Sequence, residues 1–282
     1  MLVNASVQSV QTSFETLNLI NPICRAVYEE KYTLPTPIQE QAIPHLVQGR
    51  DLLGCAQTGT GKTAAFALPI LQWLEQNRGV TGPKDVRTLI LAPTRELAAQ
   101  ISESFRIYGR YLKIRQAVVF GGVRPNIQIR ALSRGVDILV ATPGRLLDLF
   151  NQGKLRLDKV GVLVLDEADR MLDMGFLPDI KKICLAIPPN RQTVLFSATL
   201  PSEIVKLSKK FLNNPVKVSV NPSFSTVEKI KQKVMFVDRE NKFALLQSIL
   251  EQDLNSQRVL VFTRTKHGAN RIAKKLSKLK IL

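Results

Sequence analysis

The chain has 282 residues, a formal net charge of +17, and 45% hydrophobic against 22% charged residues. That length suits one large domain or two, and the composition is ordinary for a globular protein. No apolar run approaches the ~18 residues of a membrane span, and residues 1–13 lack the basic start and long apolar stretch of a secretory signal. Cys24, Cys55 and Cys184 are widely spaced, with no CxxC pair or Cys/His cluster, so neither a disulfide framework nor a zinc site is indicated. A reducing cytoplasm is the expected compartment. The charge is uneven: residues 201–282 hold 17 Lys and Arg against 6 Asp and Glu. Such a balance favours a polyanionic partner without choosing RNA over DNA.

From residue 51 onward, short apolar runs alternate with segments of helical period. Runs 51–56, 87–92, 116–120, 137–141, 161–165, 193–196 and 216–220 predict strands. Segments such as 95–108 and 144–150 predict helices between them. Near-continuous Val/Ile/Leu strands joined by helices mean an α/β fold with a mostly parallel sheet covered on both faces. Ligands in such sheets bind beyond the carboxyl ends of the strands. Residues 221–226, with Pro222 and small polar neighbours, read as a linker. A second unit then predicts strand 231–237, helix 241–252, strand 258–263 and helix 269–280. Two strands and two helices cannot enclose an α/β core of their own.

The richest stretch is Ala56-Gln57-Thr58-Gly59-Thr60-Gly61-Lys62-Thr63, between the first strand and an apolar-periodic segment. A glycine-rich turn ending in Lys-Thr at the mouth of a helix cradles phosphates. Backbone N–H groups point inward, Lys62 reaches the outer phosphates, and the Thr63 hydroxyl can hold Mg²⁺. The usual pattern opens with Gly, where this chain has Ala56. A flexible loop that only caps a helix would not need the Lys-Thr pair. The apolar run 162–165 leads into Asp166-Glu167-Ala168-Asp169. Adjacent carboxylates cannot stay buried unpaired, so they are expected to emerge at the strand end. Beside a phosphate loop, Asp166 would hold Mg²⁺, partly through water, and Glu167 would orient and deprotonate the attacking water.

Asp166-Glu167-Ala168-Asp169 spells the signature of the DEAD-box RNA helicases, and other motifs resemble that family's in the same order. Tyr32-Thr33-Leu34-Pro35-Thr36-Pro37-Ile38-Gln39 is similar to the Q motif, with Phe14 at the upstream aromatic position. Pro93-Thr94-Arg95-Glu96-Leu97, Gly121-Gly122 and Thr142-Pro143-Gly144-Arg145 resemble the RNA-contacting motifs of the first helicase domain. Ser197-Ala198-Thr199 resembles the motif that couples the ATP state to RNA, and residues 259–265 resemble the first motif of the second domain. Several stretches look most like the bacterial RhlE-type branch.

The resemblance implies a RecA-like domain over 41–220, preceded by a tail (1–11) and a Q-motif region (12–40). A linker (221–227) and the truncated start of a second RecA-like domain (228–282) would follow. It implies ATP and Mg²⁺ as cofactors and RNA as partner. Gln39 would pair with adenine's N6 and N7 edge, and Phe14 would stack on the base. Lys62, Asp166, Glu167, Ser197 and Thr199 would carry catalysis and its coupling. Pro93, Thr94, Arg95, Gly121, Gly122, Thr142, Gly144 and Arg145 would hold the RNA backbone without reading bases. Lys31 stands where the family commonly has Gly, so the turn before the Q motif is expected to differ. The family's second domain continues further and brings an arginine finger, so slow ATP turnover is expected of these residues. The enzyme reading and that of a non-catalytic ATP- and RNA-binding module both stand on the sequence, with a DNA-translocating motor a distant third. His45 and His267 have no partner at catalytic or metal spacing.

Overall fold

A computed structural model of the chain describes residues 13–79, 81–220, 233–252 and 258–279. The chain divides into two compact units, Met1–Ser223 and Phe224–Leu282. The predicted tail and linker lie outside the described residues. The first unit is built on strands β1 (Leu52–Cys55), β2 (Val86–Leu91), β3 (Gln116–Val119), β4 (Val136–Ala141), β5 (Val162–Leu165), β6 (Gln192–Ser197) and β7 (Val216–Ser219). They form one sheet in the order β3-β4-β2-β5-β6-β1-β7, and every pairing is parallel. The α/β class and the parallel sheet are those predicted.

Strand composition dictates this arrangement. Every residue of β4 and β5 is buried, which requires cover on both faces. Alternate side chains feed two cores. Ile90, Val140, Val164 and Phe196 pack with α1 (Asn21–Glu29), α2 (Pro37–Val47), α3 (Lys62–Gln76) and α4 (Arg95–Tyr108). Leu89, Leu91, Leu139, Leu163 and Leu195 pack with α5 (Pro125–Leu132), α6 (Pro143–Asn151), α7 (Ala168–Asp173), α8 (Leu177–Ala186) and α9 (Ser202–Phe211). Each fully buried leucine contributes about 1.5–3 kcal/mol. Proline in the first turn starts α1, α2, α5, α6 and α8, where its missing N–H costs nothing.

The strand order sorts the carboxyl edge of the sheet. β5, β6 and β1 adjoin, and they carry Asp166–Glu167, Ser197–Thr199 and the glycine-rich turn. β3, β4 and β2 adjoin, and they carry Gly121–Gly122, Thr142–Arg145 and Thr94–Arg95.

In the second unit, the described residues form two helices, α10 (Lys242–Gln252) and α11 (Lys266–Lys278). Thr265 caps α11 by accepting from the Gly268 N–H at 3.1 Å, so this helix starts earlier than predicted. The Lys275 ammonium sits 4.6 Å from the Phe243 ring centre, joining the two helices. The two predicted strands are a correction: residues 233–237 and 258–263 are not in strands. A strand exists only with a hydrogen-bonded neighbour, and no pairing involves these segments among the described residues. Phe236 and Phe262 stand 98% and 87% exposed.

Candidate nucleotide site and nucleic-acid edge

The turn between β1 and α3 has the backbone of a phosphate cradle. Gly59 and Gly61 take φ of 83° and 94°, which a side chain would strain. Space also requires glycine at 61, since a Cβ there would stand 2.5 Å from Gln39 Nε2. The Thr60 hydroxyl donates to the Gln57 carbonyl at 2.8 Å and closes the turn. Ala56 is buried and its N–H donates to the Ser197 carbonyl at 3.0 Å. Its φ is not positive, so glycine is not demanded there. Ala56, Gln57 and Thr60 shape the turn, whereas Thr58, Gly59, Gly61, Lys62 and Thr63 line a cavity of about 360 Å³.

Lys62 is 6% exposed, and its Nζ has no hydrogen-bond partner. A buried ammonium without a partner is costly. Asp166 lies at the same cavity, 2% exposed. Burial pushes its carboxyl up to about 6, against the pull of the Lys62 charge and with the push of Glu167. Glu167 takes the left-handed conformation, φ 51° and ψ 54°, as the N-cap of α7. For a non-glycine residue this costs of order 1 kcal/mol. Glu167 lines the cavity, and its Oε2 accepts from Arg170 Nη1 at 3.2 Å. The donor set of Thr63 hydroxyl and Asp166 carboxylate suits Mg²⁺, and the partnerless Lys62 suits a phosphate. The residues present therefore fit a magnesium nucleotide.

Gln39 is 3% exposed at this cavity. Its Oε1 accepts from the Thr36 N–H at 2.9 Å and its Nε2 donates to the Gly61 carbonyl at 3.0 Å. Each end keeps one further hydrogen-bonding site. Phe14 is placed otherwise than expected. It is 6% exposed in the core and does not line the cavity, because the turn Phe14–Leu17 packs its apolar side inward. The aromatic wall is instead Tyr32 and Tyr108, with ring centres 6.3 Å apart. Burial, with Tyr32 alongside, raises the Tyr108 hydroxyl pKa. Sequence reading missed Tyr108, which at the end of an amphipathic helix reads as core, and gave no role to Tyr32, the first residue of the Q-motif stretch.

Ser197 and Thr199 do not line this cavity. They grip Asp169, a residue the sequence did not single out. Asp169 Oδ2 accepts from the Thr199 N–H and hydroxyl, both at 2.9 Å, and the Asp169 N–H donates to Ser197 Oγ at 3.2 Å. Burial acts to raise the Asp169 pKa, but the Thr199, Ser197 and Arg170 hydrogen bonds outweigh it and hold it below the usual range. The ends of β5 and β6 are thus tied by side chains.

On the other half of the edge, the eight expected residues divide. Arg95 is exposed, its guanidinium 5.2 Å from the Phe120 ring centre. Gly122 has φ +80°, and a Cβ there would stand 2.7 Å from Arg95 Nη1. Gly121 faces open space, and a Cβ at Gly144 would only touch the Phe176 ring at 4.0 Å. The Thr94 hydroxyl accepts from the Leu97 N–H at 3.2 Å and so caps α4. Three residues are not presented for contact. Pro93 and Thr142 are buried, because they turn the chain from strand to helix. The Arg145 side chain is 14% exposed and donates to the Val123 carbonyl and Gln128 Oε1 at 3.2 and 3.3 Å. Arg145 braces the Gly121–Gly122 loop against α5.

No helix among the described residues is long and apolar enough to cross a membrane. Comparisons with known proteins agree with this fold. The chain is 43% identical over 272 residues to the ATP-dependent rRNA helicase RRP3 of Yarrowia lipolytica, covering 96% of this chain and 55% of that protein. It is 42% identical over 271 residues to the ATP-dependent RNA helicase DeaD of Escherichia coli K12, covering 95% and 42%. The crystal structure of a DEAD box protein from Methanococcus jannaschii superposes with a TM-score of 0.69 at 34% identity, over 95% of this chain and 70% of that one. The chain spans about half the length of the curated relatives it matches. The family model described as DEAD/DEAH box helicase matches residues 36–207, from the Q-motif turn to α9, and the chain belongs to that family.

Proposed function

We propose that the chain is the ATP-binding part of an ATP-dependent RNA helicase, with ATP and Mg²⁺ at the cavity under the glycine-rich turn and RNA on the β3-β4-β2 edge. The partnerless buried Lys62 ammonium, beside Asp166 in a cavity walled by Gly59 and Gly61, carries this reading. A bound nucleotide would supply the acceptor that Lys62 lacks. Mg²⁺, held by Thr63 and Asp166, would neutralise phosphate charge as it develops. Glu167 would take the proton of the attacking water, held in place by Arg170. Gln39 would use its remaining donor and acceptor on adenine, which favours ATP over GTP. Phe14 would stack on the base only by leaving its core packing. Asp169, Ser197 and Thr199 would couple the nucleotide side of the sheet to the RNA side. Contacts through Thr94, Arg95, Gly121, Gly122 and Gly144 would be made to the backbone, independent of sequence.

We assign the chain to the bacterial RhlE-type branch on the wording of its motifs, and to a reducing cytoplasm on its three free thiols. RNA-stimulated ATP turnover by the native chain and by Glu167→Gln tests the enzyme reading. The expected outcome is turnover in the native chain only, with nucleotide bound by both. A second reading is a non-catalytic ATP- and RNA-binding module. Nucleotide and RNA binding by both proteins with hydrolysis by neither would establish it.

A further inference from the structure

We propose that the RNA path does not end at the carboxyl edge of the sheet but continues down the exposed face of α5 to a cationic surface at the amino end of β3. This rests on the RNA reading above. α5 starts beside the Gly121–Gly122 loop and returns the chain to β4, so it runs from one edge of the sheet to the other along the outermost strand. Arg124 stands at its start, Ile127 in its middle, Arg130 in its last turn and Arg134 just beyond. All four are exposed, Ile127 at 78%. Ile127 and Arg130 stand three residues apart on one face of the helix, and Arg134 joins them in the wall of one cavity. The eight-residue helix is about 12 Å long, the reach of three or four stacked nucleotides at ~3.4 Å each.

Where α5 ends, Arg115 takes over. Its guanidinium donates to two neutral acceptors, the Arg134 carbonyl at 2.8 Å and the Thr81 carbonyl at 3.0 Å. It is held rigidly with its charge uncompensated by a carboxylate. A cavity of about 620 Å³ opens here, with Arg115, Ile127, Arg130 and Arg134 in its wall. Lys113 stands exposed at an adjoining cavity that shares Arg115. The two carboxylates at that adjoining cavity are already taken, Asp137 by Thr81, Arg87 and the Arg115 N–H, and Glu75 by Arg78. Lys113, Arg124, Arg130 and Arg134 form no ion pair among the described residues. Unpaired cations in line, one of them fixed by carbonyls, complement a phosphate chain. The continuity of this surface with the Gly121–Gly122 edge selects RNA over an acidic polypeptide.

The test compares a 6-mer and a 20-mer of polyuridylate on the full 282-residue chain, with Lys113→Glu/Arg130→Glu/Arg134→Glu as the variant. The expected result is an unchanged 6-mer affinity, a 20-mer affinity lowered about ten- to hundredfold, and a log–log salt slope lower by about 2. A control variant, Lys181→Glu/Lys206→Glu/Lys210→Glu, removes the same charge on α8 and α9 and is expected to keep the 20-mer affinity. Both variants should melt as the native chain does, their positions being exposed. Equal loss in the control, or native 20-mer affinity in the first variant, overturns the path. Loss of polyglutamate binding with 20-mer affinity retained overturns it in favour of an acidic polypeptide. Failure of the native chain to bind either oligonucleotide overturns the RNA reading itself.

Discussion

At the scale of single residues, the site combines groups that are each unfavourable alone. Asp166 is the clearest, with a carboxyl pushed from its ordinary 3.8 up to about 6, chiefly by burial. A raised folded-state pKa favours the neutral form in the fold. Its contribution to stability is complete below 3.8 and is lost as pH rises through about 6. In metal- and nucleotide-free protein, Asp166→Asn is therefore expected to gain in melting temperature over the native chain between pH 4 and 7. A gap that does not change with pH would contradict this. Glu167→Gln keeps size and removes the base, so ATP turnover is expected to fall about 10²–10⁴-fold with nucleotide affinity retained. Lys31 has φ +62° where the resemblance expects glycine, so the left-handed turn survives at a cost. Lys31→Gly relieves that strain, less the added freedom of an unfolded glycine, and should stabilise the chain by roughly 0.5–1 kcal/mol in urea titration. That Lys62 and Asp166–Glu167 meet at one cavity was legible because their motifs reside in residue type and order. The placement of Phe14 and the Arg145 brace was not, since exposure depends on neighbours distant in sequence.

At the scale of elements, the strands were legible because their apolar runs are continuous and each pairs within the sheet. The same signal failed at 233–237 and 258–263, where apolar sequence has no paired neighbour among the described residues. Sequence also located Ser197 and Thr199 without revealing that Asp169 joins them, because that tie crosses from the end of β5 to the end of β6. Thr199→Val removes the hydroxyl donor at 2.9 Å and leaves the N–H. The loss is worth about 1–2 kcal/mol for a hydrogen bond to a charged group, discounted for its partial exposure. RNA stimulation of ATP turnover is expected to weaken in this variant while the KM for ATP stays unchanged. A raised KM with full stimulation would place Thr199 in nucleotide binding instead.

For the whole molecule, the net charge of +17 was visible at once, but its placement was not. The strand order decides which motifs share an edge, and no periodicity in one sequence reports it. RNA affinity is expected to fall steeply with salt, by ~0.7 in log K per log salt for each phosphate contact on a single strand. Equal affinity at 50 and 200 mM salt would exclude backbone binding. The bond from Gln39 Nε2 to the Gly61 carbonyl carries a last implication for how the machine idles. The side chain proposed to sense the purine also latches the loop that grips its phosphates. Between occupants that latch would keep the mould set, so each new nucleotide would meet a finished shape.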